Sequence, residues 1–211
     1  MLERNILIID DNSRIADLYI PAYELSINKA KQVDTKWEQY SFNFFHKQSL
    51  RDALQFLEDQ RNAVDVLVVD YDFNGEPTFS NGTAFVKYVR DNLNRYCQIV
   101  FYTMQGIGSI EKQELVDLIN SDVFQLVDKS DTNIDLGTII FNAATQCNPV
   151  VESLERFFLK YKSMLANYSY TFGGETISLE DIIMHIRMDD DIGRIFLDRL
   201  LQKGILLNIN I

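Results

Sequence analysis

Apolar and polar positions divide the first two thirds of the chain into two alternating kinds of segment. Short apolar runs rich in β-branched or aromatic residues predict buried strands, and they cover residues 4–10, 37–46, 64–70, 98–103 and 123–128. Segments with apolar residues at helical spacing follow them; one begins at residues 11–13, and the others cover 49–59, 83–93, 109–120 and about 132–146. This alternation predicts an α/β domain with a parallel sheet and helices on both faces.

Polar residues stand where the predicted strands end. They are Asp10 and Asp11 after the first strand, Asp70 and Asp72 at the third, Thr103 at the fourth, and Asp128 and Lys129 at the fifth. The carboxyl ends of parallel strands share one edge of the sheet, so these side chains should meet there. Carboxylates a few ångströms apart near a surface repel by roughly 1–4 kcal/mol per pair. The cluster therefore predicts a site for a hard divalent cation, Mg²⁺ or Mn²⁺, which prefers oxygen ligands.

Charge and cysteine content narrow the range of partners. The chain has 211 residues, a formal net charge of −11 and a sequence pI of about 4.6. An acidic surface repels nucleic-acid phosphates and membrane surfaces, so we expect neither as a partner. Cys97 and Cys147 have no Cys or His partner at metal-ligand spacing, which indicates a reduced intracellular protein. No segment has the pattern of a signal peptide or membrane span, and we expect a cytoplasmic protein.

Four short motifs in order make residues 1–147 similar to the receiver domain of two-component response regulators. The motifs are ILIIDDN, VLVVDYDF, IVFYT and QLVDK. The resemblance implies a flavodoxin-like, doubly wound, five-stranded parallel sheet of order 2-1-3-4-5. It also implies a phosphorylation-gated signalling protein, not a metabolic enzyme, whose partner is a histidine kinase or a phosphotransfer protein.

The resemblance also implies roles for the strand-end residues. Asp70 would be the phosphoacceptor, and Asp11 and Asp70 would bind Mg²⁺ directly, with Asp10 acting through water. Asp72 would offer only its backbone carbonyl to the metal. Thr103 and Lys129 would each contact a phosphoryl oxygen. These residue types suit the chemistry, because a carboxylate can act as a covalent nucleophile while metal and ammonium neutralise the phosphoryl oxygens.

Several positions depart from the receiver pattern. The Met-Pro pair usual after the phosphoacceptor is replaced by Phe73-Asn74, and the acid-glycine pair before the third helix appears as Asn81-Gly82, about four residues late. Ser130 follows the lysine in place of proline, and Leu126 occupies the aromatic switch position. An adaptor that keeps the receiver fold without phosphorylation is therefore an alternative.

An enzymatic alternative comes from the same strand end. VVDYDFN also resembles the Asp-x-Asp signature of haloacid-dehalogenase-type phosphatases, although Asn74 stands where that signature has threonine. That family closes a late strand with an acidic pair. Here the late acids Asp189–Asp191 follow a segment with helical spacing, which disfavours this interpretation.

Asn148-Pro149 marks a boundary, and residues 148–211 predict a mainly α-helical extension. We expect a turn or short hairpin at 167–177, a helix opened by Ser178, a helix from the acids 189–191 to Gly204, and a final strand, ILLNINI. An apolar stripe at helical spacing either packs on this chain or forms a homodimer seam; it comprises Val150, Leu154, Phe157, Phe158, Tyr161 and Leu165.

The helix–turn–helix–strand order of the extension faintly resembles a winged-helix DNA reader, which leaves a transcriptional regulator as an alternative. Three acids at the head of the would-be recognition helix argue against DNA binding. We therefore predict output through an unidentified protein partner or a second copy of the chain.

Overall fold

The computed structural model describes residues 2–59, 63–73, 77–131, 133–146 and 149–208. It divides the chain into two units, Met1–Cys147 and Asn148–Ile211. Among the described residues, no helix is both long and apolar enough to cross a bilayer.

A five-stranded parallel sheet forms the centre of the first unit. Its strands are Leu2–Ile9 (β1), Tyr40–Lys47 (β2), Val66–Asp70 (β3), Gln98–Thr103 (β4) and Gln125–Asp128 (β5). Their spatial order is β2-β1-β3-β4-β5, which is the order of the flavodoxin-like fold. The predicted fold class is confirmed.

Five α-helices flank this sheet. They are Ile20–Val33 (α1), Leu50–Glu58 (α2), Gly82–Asn92 (α3), Lys112–Asn120 (α4) and Leu136–Thr145 (α5). Side chains of Ser49, Asn81 and Asp135 accept hydrogen bonds from first-turn N–H groups of α2, α3 and α5. Each cap pairs an N–H group that has no partner inside its helix, which places the helix start at a defined residue.

Alternate residues along the strands supply two separate cores. One face of the sheet buries Leu7, Leu67 and Ile99 under α2, α3 and α4. The other buries Ile8, Val68 and Val100 under α1 and α5. Because successive strand side chains point to opposite faces, a run of consecutive apolar residues serves both cores. This explains why the central strands are continuously apolar.

Two details of the first unit differ from the sequence-based expectation. The helix predicted to begin at residues 11–13 begins later: a π-helical turn at Ile15–Tyr19 precedes α1, and Pro21 is the second residue of α1. Proline fits there because an N–H group at that position has no partner within the helix. Residues 35–39 form a 3₁₀ turn, so β2 begins at Tyr40. The predicted helix start at Thr132 lies outside the described residues.

The second unit contains helices and a hairpin. Its elements are Pro149–Lys160 (α6), Lys162–Leu165 (α7), Ser169–Phe172 (β6), Glu175–Ser178 (β7), Leu179–Met188 (α8) and Asp191–Asn208 (α9). The hairpin is antiparallel and turns at Gly173 and Gly174, whose φ values are 60° and 91°. Asp190 accepts a hydrogen bond from the Gly193 N–H at 2.9 Å, so one of the three leading acids caps α9.

One prediction for the second unit is wrong. Residues 205–208 continue α9 through Gly204 instead of forming a strand, and residues 209–211 lie outside the described part. A helix pairs its backbone groups within itself, whereas a strand needs a neighbouring strand. The predicted stripe is only partly covered in the single chain: Leu154 packs against the core of this unit, whereas Val150 and Phe157 are 40% and 45% exposed, so the homodimer seam stays a prediction. The helical segment is interrupted at Tyr161, which lies between α6 and α7.

Candidate functional site

Three of the strand-end acids meet at the carboxyl edge of the sheet. One carboxylate oxygen from each of Asp10, Asp11 and Asp70 lies within 4.8 Å of the others. Asp10 and Asp70 are buried, and Asp11 is exposed. Close oxygen donors with one open side fit a small hard cation that keeps part of its water shell. The predicted acidic cluster therefore forms; the Asp72 side chain does not belong to it, and the predicted role of the Asp72 backbone carbonyl stays a prediction.

Asp10 is held by donors on both of its carboxylate oxygens. The Asn12 N–H donates to Oδ1 at 2.8 Å. Oδ2 accepts from the Lys129 ammonium at 2.9 Å and from the Tyr102 hydroxyl. Burial alone would raise the pKa of Asp10, but the Lys129 charge and these hydrogen bonds outweigh it and lower that pKa. Asp10 is therefore ionised despite being only 2% exposed.

Asp70 has fewer partners and the opposite electrostatic balance. The Tyr71 N–H donates to Asp70 Oδ1 at 2.8 Å. Burial raises the pKa of Asp70 to about 7; the nearby Asp10 charge adds to the rise, and Lys129 opposes it. Two neighbouring carboxylates thus have pKa values pushed apart by their surroundings. Such a shift at a sheet edge is a feature of functional sites as well as of structural charge networks.

Thr103 and Lys129 lie at the ends of the next two strands, as predicted. Asp70 pairs in register with Tyr102, so Thr103 is one residue beyond that pair on β4. The buried Thr103 hydroxyl accepts from the Gln105 N–H at 3.1 Å, and the Thr103 carbonyl accepts from the Lys129 N–H at 2.9 Å. The second bond ties the two strand ends together beside the acids.

The shifted Asn81-Gly82 pair still brings the start of α3 against the site. The Gly82 N–H donates to the Tyr71 carbonyl at 3.0 Å, and a Cβ on Gly82 would lie 2.0 Å from the Asp70 carbonyl oxygen. No side chain fits at that distance. The longer loop after Asp70 therefore ends where a glycine allows helix and strand to touch.

A polar junction beside Asp70 joins three elements, and the sequence analysis did not identify it. The Tyr71 hydroxyl donates to Glu114 Oε2 of α4 at 2.8 Å. The Asn81 amide, at the start of α3, donates to Glu114 Oε1. Burial and the Glu114 charge raise the pKa of Tyr71 to about 12. The residue that follows Asp70 is thereby connected to both helices.

Tyr102 is the other residue that the sequence analysis missed. Its side chain is 1% exposed, and its ring centroid lies 3.5 Å from the Lys129 ammonium. Burial, followed by the charges of Asp10 and Asp70, raises its pKa well above the ordinary value. In the sequence it is one apolar-looking position in a buried strand, and only the register of β3 and β4 places it beside the acids.

No family model and no curated protein matches this sequence. Solved structures with a similar fold include a response regulator receiver domain protein from Clostridium thermocellum, with 19% identity over 68% of this chain and 95% of that one and a TM-score of 0.44. A receiver protein from Pseudomonas putida has 16% identity over 66% and 94%, with a TM-score of 0.46.

Full-length FixJ from B. japonicum has 16% identity over 79% of this chain and 71% of its own, with a TM-score of 0.47. Identities and TM-scores this low carry no conclusion about function. The flavodoxin-like fold of the first unit rests on its own strand order.

The close contact at Gly82 predicts a large effect of a small substitution. Gly82→Ala should destabilise the chain by roughly 1–3 kcal/mol, because the added methyl group must push α3 away from β3. Thermal unfolding measures the loss. Gly108→Ala is the control, since a Cβ there meets nothing within 4 Å. A Gly82→Ala chain as stable as the wild type would contradict the contact.

The raised pKa of Asp70 predicts an unusual dependence of stability on pH. Folding raises this pKa from 3.8 to about 7, so the folded state binds more protons between those values. The free energy of unfolding should therefore fall as pH rises from about 4 to about 7. Asp70→Asn should remove this fall and be more stable than the wild type by on the order of a few kcal/mol near pH 8.

Urea unfolding in metal-free buffer at several pH values measures this difference. Asp128→Asn is the control, because the Ser130 side chain and N–H lower the pKa of Asp128 and the variant should keep the fall. Equal pH slopes for the wild type and Asp70→Asn would show that Asp70 titrates in its ordinary range.

Proposed function

We propose that the first unit is a receiver domain that accepts a phosphoryl group on Asp70 from a histidine kinase or a phosphotransfer protein. The observation that carries the proposal is the convergence of Asp10, Asp11 and Asp70 within 4.8 Å, with the Lys129 ammonium 2.9 Å from Asp10. The chain would act as a cytoplasmic signalling protein and not as a metabolic enzyme.

The acidic cluster fits the cation that this chemistry needs. Asp11 and Asp70 would bind Mg²⁺ directly, Asp10 would act through water, and Asp72 would offer its backbone carbonyl. The exposure of Asp11 gives the ion a route from solvent. When bound, Mg²⁺ would neutralise negative charge on the acids and on the phosphoryl oxygens.

In the transfer, a carboxylate oxygen of Asp70 attacks phosphorus. The bond between phosphorus and the donor histidine nitrogen breaks, its electron pair returns to that nitrogen, and Asp70 becomes an acyl phosphate. Lys129 would contact one phosphoryl oxygen and the Thr103 hydroxyl another, holding the group in place. Only the ionised carboxylate is nucleophilic, so the charge of Lys129, which lowers the pKa of Asp70, favours the reactive form.

The second unit would provide the output through protein contact. Helix α9 begins with Asp191, and Asp190 caps it, so negative charge sits at the end that a DNA reader would bring to the groove. In the described part of this unit no strand follows α9, so the helix–turn–helix–strand order that resembles a DNA reader is not completed there. Leu201, Ile205 and Leu206 are exposed on α9 and offer apolar area to a protein partner or a second copy.

An adaptor that keeps the fold but takes no phosphoryl group is the competing proposal, motivated by Leu126 at the switch position. The phosphatase alternative is weaker, because Asp189 follows helix α8 instead of closing a strand. Metal binding and phosphorylation of Asp70 separate these proposals.

Mg²⁺ should bind saturably and stabilise the chain, because it relieves repulsion among Asp10, Asp11 and Asp70. Asp11→Asn should weaken the affinity by at least about tenfold, since it removes a charged ligand. Calorimetric titration with a parallel thermal-unfolding series measures both effects. Asp128→Asn, at a neighbouring strand end outside the cluster, should bind Mg²⁺ like the wild type. Equal affinities for Asp11→Asn and the wild type would argue against a metal at this site.

Incubation with acetyl phosphate and Mg²⁺ should add one phosphoryl group, detected by intact mass. Asp70→Asn should abolish the adduct because it removes the nucleophile. Lys129→Ala should keep much of it, since Lys129 holds the product instead of attacking phosphorus. Asp72→Asn is the matched control two residues away, and it should still react because only its backbone is needed. A wild-type chain that binds Mg²⁺ yet stays unmodified would favour the adaptor.

A further inference from the structure

Two donors converge on a single oxygen of Asp10, and they touch each other. Asp10 Oδ2 accepts from both the Tyr102 hydroxyl and the Lys129 ammonium. The same ammonium lies 3.5 Å from the centroid of the Tyr102 ring. Tyr102 therefore contacts both members of the Asp10–Lys129 ion pair.

The two donors differ in their freedom to move. Tyr102 is 1% exposed and belongs to the buried cluster under α1 and α5, which includes Ile8 and Val127. The Lys129 side chain is 20% exposed, at the end of a flexible stem. The hydroxyl is fixed by the packing of its ring, whereas the partly exposed lysine stem leaves the ammonium room to change partner, as the proposed contact with a phosphoryl group on Asp70 would require.

Movement of Lys129 leaves a buried carboxylate without its cation. If Lys129 turns to a phosphoryl group on Asp70, Asp10 loses a charged donor while only 2% exposed. A buried carboxylate without partners is strongly disfavoured. The Asn12 N–H stays on Oδ1, and the Tyr102 hydroxyl stays on Oδ2. The tyrosine thus keeps the second oxygen satisfied and the carboxylate in one orientation.

We infer that Tyr102 is a positioning residue that holds Asp10 in place so that Lys129 can leave it for the phosphoryl group on Asp70. The inference rests on the proposed function of Asp70. Without the hydroxyl, Lys129 would be the only side chain among the described residues that donates to Oδ2, and its release from Asp10 would cost more free energy. A residue that merely filled the core would change the stability of the fold without affecting the equilibrium of Lys129 between Asp10 and the phosphoryl group on Asp70.

A double-mutant cycle on Tyr102 and Lys129 distinguishes these roles. The probe is beryllofluoride with Mg²⁺, which mimics a phosphoryl group on a carboxylate, and its affinity is measured by calorimetry on the full chain. Tyr102→Phe should weaken beryllofluoride binding about tenfold, the scale of a lost hydrogen bond to a charged group. Added to Lys129→Met, the same change should have little effect, because no ammonium has to leave Asp10.

Tyr23→Phe is the control, since Tyr23 lies in the same buried cluster but is not among the hydrogen-bond donors to Asp10 that the structure describes. It should bind beryllofluoride like the wild type. If Lys129→Met binds the probe too weakly to compare, the rates of phosphorylation by acetyl phosphate replace the affinities. Equal rates with Tyr102 and with Phe in the Lys129→Met background support the inference.

Two results would overturn the inference while leaving the proposed function intact: Tyr102→Phe binding beryllofluoride like the wild type, or an equal loss in both Lys129 backgrounds. The second would mean that Tyr102 acts only through packing. A wild-type chain that binds no beryllofluoride in the presence of Mg²⁺ would instead overturn the proposed function, and this inference with it.

Discussion

The site depends on how negative charge is balanced around two buried carboxylates. Asp10 has a cation, a hydroxyl and a backbone N–H, and these donors keep it ionised although it is buried. Asp70 has one backbone N–H, and burial raises its pKa to about 7. Among the described residues, Asp70 therefore lacks a cation in direct contact, and in the proposed function a metal ion or a rearranged Lys129 would supply that positive charge. Because the donors are distributed unequally, Asp10 is held in one orientation, whereas Asp70 keeps carboxylate lone pairs that a metal ion or a phosphoryl group could engage.

The period of the β-strand explains how the core leads into this site. Ile8, Val68 and Val100 lie on the face covered by α1 and α5, and Tyr102 continues that row. Tyr102 is also the register partner of Asp70. The rows of apolar side chains that stabilise the sheet therefore end in the groups that carry the charge. Any shift in strand register would change the stability of the core and the geometry of the site together.

The departures from the usual receiver pattern have local structural solutions. The late Asn81-Gly82 pair still begins α3 against Asp70, because glycine permits a backbone contact that no other residue could make. Leu126, in place of an aromatic residue, packs against the core under α2, α3 and α4. The junction of Tyr71, Asn81 and Glu114 connects the residue after Asp70 to two helices on that same side. Coupling through it would not require an aromatic residue on β5.

Local pattern in the sequence was enough to determine the strand–helix alternation and the meeting of Asp10, Asp11 and Asp70, because both follow from side-chain period and from the geometry of parallel strands. The strand order was expected only from the resemblance to receiver domains. The caps at Ser49 and Ser178, and the hairpin near Gly173, were equally local. The final strand was predicted wrongly, because alternation in residues 205–208 could not show that these residues continue helix α9.

Only the tertiary structure decided which partner each buried polar group has. Tyr102 looks like any aromatic residue of a buried strand, and Glu114 like any acid on an amphipathic helix. Their roles come from contacts between residues far apart in the sequence: Tyr102 with Asp10, and Glu114 with Tyr71 and Asn81. The pKa of Asp70 is likewise set by burial and by neighbours on other strands. Such pairings depend on register and helix placement, which sequence period alone does not determine.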